Sequence, residues 1–80
     1  MPVVFRYKGI RFLFYSNEGS PREPVHIHAV GQEGEAKFWL FPEVRIAECI
    51  GFDRKTQADL IRAVEAHCSE IERAWNEHFR

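Results

Sequence analysis

Residues 25–40 read Val25-His26-Ile27-His28-Ala29-Val30, then Gly31-Gln32-Glu33-Gly34, then Glu35-Ala36-Lys37-Phe38-Trp39-Leu40. Side chains alternate between the two faces of a strand, so His26 and His28 share one face while Val25, Ile27 and Ala29 share the other. The glycine-bounded turn folds the two runs into a hairpin. Its symmetric register sets His26 opposite Trp39, Ile27 opposite Phe38, His28 opposite Lys37 and Ala29 opposite Ala36. A slip of one residue would mix Lys37 and Trp39 with the apolar set, so the sorted register is the favoured one.

Working toward the N-terminus, residues 2–7 and 10–16 are rich in β-branched and aromatic residues and are separated by Lys8-Gly9, a two-residue hairpin turn with glycine supplying the positive φ. That turn places Tyr7 opposite Ile10, Arg6 opposite Arg11, Phe5 opposite Phe12, Val4 opposite Leu13 and Val3 opposite Phe14. Residues 17–24, with their Pro, Gly and Ser content, form a loop long enough to lie over the histidine strand. One sheet face then carries Val3, Phe5, Ile10, Phe12, Phe14, Val25, Ile27, Ala29, Phe38 and Leu40. The other carries Arg6, Arg11, Tyr15, His26, His28, Glu35, Lys37 and Trp39.

Toward the C-terminus, residues 41–53 form a connector in which 43–50 read equally as a fifth strand or a helical turn. Asp53 is a suitable N-cap for a helix over residues 54–79, where Leu60, Ile61, Val64, Cys68, Ile71, Trp75 and Phe79 recur at helical spacing. The sequence predicts one α+β domain over residues 1–80. It comprises an antiparallel meander of four strands, five if 43–50 join it, packed on one face by a long C-terminal helix.

A chain of 80 residues, 45% hydrophobic and 14% aromatic, buries a small core, which leaves a homo-oligomer or a complex open. The formal charge of −1 supplies no bulk field for nucleic acid or an anionic membrane, so any basic surface is local. With no apolar run of membrane-spanning length and no signal-peptide pattern at the N-terminus, the expected location is the cytoplasm. Cys49 and Cys68 lack CxxC spacing and read as reduced, buried or half-buried thiols.

Three groups of residues carry a family resemblance: Met1-Pro2-Val3-Val4-Phe5-Arg6 with Phe12-Leu13-Phe14-Tyr15-Ser16-Asn17-Glu18, then Pro24-Val25-His26-Ile27-His28, and finally Gly34-Glu35-Ala36-Lys37-Phe38-Trp39-Leu40 with Ala74-Trp75-Asn76-Glu77-His78-Phe79. Together they resemble the domain-of-unknown-function 4160 (DUF4160) family of small bacterial proteins over nearly the whole chain. Glu23-Pro24-Val25-His26-Ile27-His28 departs from the family's usual Pro-Pro-His-Val-His-Val by one proline and an added valine. The resemblance implies a toxin–antitoxin-like pair of neighbouring genes and a cognate small protein as partner.

The polar face suggests its own chemistry. Arg6, Arg11, Tyr15 and Trp39 are candidate ligand- or RNA-binding residues, cations for phosphate and rings for base stacking. His26, His28 and Lys37 are candidate catalytic residues, the two imidazoles exchanging protons in a metal-independent endoribonuclease. That activity is the alternative to a binding role on the same face. A metal site would need Glu18, Glu35, His67 or His78 as further ligands, and Lys37 opposite His28 opposes a cation there, so no metal or other cofactor is expected.

Overall fold

The computed structural model describes residues 3–15 and 23–79; the expected loop over 17–24 therefore lies largely outside the described residues. Five strands, β1 (Val3–Tyr7), β2 (Ile10–Leu13), β3 (His26–Val30), β4 (Glu35–Trp39) and β5 (Arg45–Ile50), precede two helices, α1 (Arg54–Ala66) and α2 (Cys68–His78). The strands form one antiparallel sheet in the order β1-β2-β3-β4-β5. This is an α+β meander with helices on one face.

The β3–β4 register is the one that apolar sorting favours, with Ile27 opposite Phe38 between His26·Trp39 and His28·Lys37. The β1–β2 turn also forms at Lys8-Gly9, where both residues adopt positive φ, 51° and 78°, as a twisted two-residue hairpin requires. Beyond Phe5·Phe12 the pairing differs from the symmetric reading. Val3, not Val4, stands opposite Leu13, because β1 holds one extra residue as a bulge. Pairing of β2 ends at Leu13, so Val3 and Phe14 do not face each other.

Residues 45–50 complete the sheet as β5. Its alternation is broken by a shift between Lys37·Glu48 and Phe38·Ile46, which leaves Ala47 as the extra residue. At the far end of this pair the backbones of Gly34 and Gly51 touch. A Cβ on Gly34 would strike the Ile50 carbonyl, and one on Gly51 the Glu33 carbonyl, while Gly51 also sits at φ +91°.

The expected single helix is two helices. At His67 the backbone turns to φ −109°, ψ 15°. The ring Nδ1–H donates to the Ala63 carbonyl at 2.8 Å, and the ring stacks flat on Phe5 at 3.8 Å. Main-chain helical bonds continue on both sides, from the His67 N–H to the Ala63 carbonyl and from the Ile71 N–H to the His67 carbonyl, so α1 and α2 meet at a one-residue irregularity. Leu60, Ala63 and Val64 from α1 and Ile71 and Trp75 from α2 then close on Phe12, Phe14, Ile27, Phe38 and Leu40. Each of the Val, Leu, Ile and Phe side chains among these contributes about 1.5–3 kcal/mol by leaving water. Burial, then the nearby Glu72 carboxylate, pushes the Cys68 thiol up, so it stays protonated at neutral pH.

Asp53 caps α1 as its position predicts, accepting from the Thr56 N–H at 2.8 Å. That backbone hydrogen bond holds its carboxyl below the ordinary value of 3.8. A depressed folded-state value contributes stability above the unfolded value and loses it as pH falls through the folded one. Thermal melts of wild type and Asp53→Asn across the acid range should therefore show a wild-type advantage near neutrality that vanishes below the ordinary aspartate range. An advantage that grows with acidity would contradict the capping role. Gly51→Ala should cost about 2 kcal/mol or more, measured by denaturant unfolding, since the added methyl meets backbone and the φ is strained.

Candidate binding face

The strand registers lay the second sheet face out as three rungs. Arg6, Arg11, Val30, Glu35 and Ile50 follow one another across all five strands; Leu13, His28, Lys37 and Glu48 form the next; and His26, Trp39 and Arg45 form the third. The seven residues singled out by sequence are thus on one face but not in one cluster. From strand spacing, Arg11 and Trp39 stand roughly 16 Å apart. Arg6 and Arg11 are exposed at the β1–β2 corner, away from the aromatic end.

Tyr15, His28, Lys37 and Trp39 are brought together and are all half-buried. The Tyr15 ring packs on His28 at 4.3 Å between centroids, and the Lys37 ammonium sits over the Trp39 ring at 4.5 Å. A cation over an indole face gains about 0.5–1 kcal/mol where water still reaches it. Glu35 and Glu48 flank Lys37 along β4 and across to β5, so acids interrupt the expected basic patch. Arg45, Glu48 and Ile50 were not legible as members of this face, because the bulge at Ala47 disguises β5 as a connector.

His26 behaves unlike its neighbour. It has 0% exposure, and its Nδ1–H donates to the Pro24 carbonyl at 3.0 Å. Its ring meets Trp39 at 5.4 Å, His28 at 5.4 Å and Trp75 of α2 at 5.0 Å. β2 stops pairing before it reaches this position, and Trp75 comes in from the helical layer to pack against both His26 and Phe14. A run of tilted and edge-on ring contacts therefore links the half-buried Tyr15–His28 pair through His26 to Trp75 and Phe79. His26 serves as an aromatic spacer inside this run, while His28 reaches the surface.

No deep cleft accompanies His28. The recess it shares with Lys37, Glu48 and Cys49 holds about 70 Å³, well below the ~300 Å³ or more of a small-molecule site. A larger groove of about 440 Å³ runs between β1 and α2, lined by Val3, Val4, Phe14, Ala74, Arg73 and His78 among others. Among the described residues, no three His, Cys, Asp or Glu side chains gather as metal ligands, and no helix is long and apolar enough to cross a membrane.

The family model described as "Domain of unknown function (DUF4160)" matches residues 9–76, and the chain belongs to that family. No curated protein and no solved structure matches it.

The two histidines should separate cleanly in stability measurements. His26→Ala opens a cavity among Trp39, Trp75 and His28 and is expected to cost about 2–4 kcal/mol in urea unfolding. His28→Ala, at the surface, should cost no more than about 1 kcal/mol. Equal costs would mean that His26 is not the packed member of the pair.

Proposed function

We propose that this DUF4160 member is one component of a toxin–antitoxin-like two-gene module and acts by binding its cognate small protein through the Tyr15, His28, Lys37 and Trp39 face. The observation that carries this reading is the half-buried Trp39 with the Lys37 ammonium over its ring, on a central strand of a sheet backed by the core. Aromatic side chains held rigid and partly exposed are the usual anchors of protein interfaces, since they bury large area and lose little conformational freedom on binding.

RNA is a weaker occupant for this face. Phosphates would meet Glu35 and Glu48 beside Lys37, and Arg6 and Arg11 lie too far along the sheet to join the same contact. The endoribonuclease alternative needs His26 and His28 to reach one ribose phosphate together. A buried His26 bonded to Pro24 and a shallow recess at His28 give that reading little support.

Co-expression with the product of the adjacent gene should yield a stable complex on size exclusion. Trp39→Ala should weaken it by about 2 kcal/mol, roughly thirtyfold, in titration calorimetry run below the variant's own melting transition, since loss of the indole beside His26 also lowers stability. Induction of each protein alone and of both together would then assign the toxin and antitoxin roles by growth. A complex indifferent to Trp39→Ala and Lys37→Glu would place the contact elsewhere, and failure to form any complex would remove the proposal.

A further inference from the structure

Two large apolar side chains stand out in water among the described residues: Ile50, 78% exposed, and Phe41, 49% exposed. Ile50 ends β5 and Phe41 lies four residues before it; β5 is the last strand of the sheet, and its outer edge presents backbone donors and acceptors that no described strand of this chain takes up. β1, the other edge, keeps Val3, Val4, Phe5 and Tyr7 half-buried. The open apolar surface thus belongs to one edge.

The bulge in β5 gives that edge an unusual charge arrangement. Arg45 stands opposite Trp39 and Glu48 opposite Lys37, so both lie on the same sheet face although they are three residues apart. Strict alternation would have put them on opposite faces. Between them are Ile46 and the small, exposed Ala47.

We propose that β5 pairs antiparallel with β5 of a second copy of this chain, about a two-fold axis passing between Ile46 and Ala47. In that register Arg45 of each copy faces Glu48 of the other, so two opposite-charge pairs form by symmetry. Ile50, the last residue of β5, comes to the end of the seam where the second copy's 41–43 bend, which carries Phe41, leads into its β5. A single register therefore matches both charges and brings Ile50 of one copy and the Phe41-bearing bend of the other to the same end of the seam. Moving the axis by half a residue pair sets Arg45 against Cys49 or Ala47 and leaves Glu48 unmatched.

The two-fold axis stands perpendicular to the sheet, because residues directly opposite in an antiparallel pair point to the same side. The result is a continuous ten-stranded sheet. Its helices all lie on one side, and the two Lys37–Trp39 faces lie on the other, so the dimer would present two equivalent faces to its surroundings. The pairing stands independently of what those faces bind.

Sedimentation equilibrium of the isolated chain over a wide concentration range tests the proposal. The wild type should approach twice the 9.4 kDa of one chain as concentration rises. R45E carries acids at both edge positions and E48R cations at both, so each alone should dissociate about tenfold more readily. An equimolar mixture should recover the double mass, since each copy then faces its opposite. Melting curves on each variant confirm that the fold is kept. A wild type that remains at single-chain mass overturns the pairing, as does a dimer indifferent to both substitutions. So does an edge that uses Arg45 and Glu48 only to bind the neighbouring gene product.

Discussion

The facing of Ile27 and Phe38 across β3 and β4 is the constraint on which the remaining arrangement rests. Side chains on a strand alternate with a period of two, so this one rung commits the whole central hairpin: Ala29, Ala36 and Leu40 go to the helical layer, and His28, Lys37 and Trp39 to the other side. β2 then inherits its orientation through Phe12 opposite Ala29, and β1 through Phe5 opposite Phe12. The candidate binding face exists because the core took the other half of each strand.

That division is not complete, and the exception shapes the chemistry. Leu13 and His26 belong by alternation to the second face yet are 4% and 0% exposed. His26 owes its burial to Trp75, a residue 49 positions later in the chain, arriving from α2. An imidazole between two indoles, with Nδ1–H given to a carbonyl, is a packing element. The paired-histidine pattern thus yields one accessible imidazole, and a face suited to contact more than to proton transfer.

What the sequence revealed and what it concealed follow from the range of the interactions involved. The β3–β4 register, the Lys8-Gly9 turn and the Asp53 cap depend on neighbours a few residues away, and each was readable from spacing. β5 was ambiguous because Ala47 interrupts its alternation, and with β5 went any view of Arg45, Glu48 and Ile50 as surface residues of the sheet. The break between α1 and α2 left no periodic trace: Val64, Cys68 and Ile71 keep helical spacing through it, and it falls at His67, whose ring stacks on Phe5, more than sixty residues away in sequence. The burial of His26 was hidden for the same reason.

Size explains why the exposed surface is so uneven. A domain of 80 residues has apolar side chains enough to fill one layer between sheet and helices but few elements with which to cover the rest. Two devices extend the covered area without another element. Trp75 and Phe79 wrap the end of the sheet where β2 has stopped, and the Lys37 ammonium lies over Trp39. Neither reaches β5, which ends in the exposed Ile50 and follows the exposed Phe41. Apolar area that a fold this small leaves uncovered is area that association can still bury, and among the described residues Ile50 and Phe41 are the large apolar side chains left most open to it.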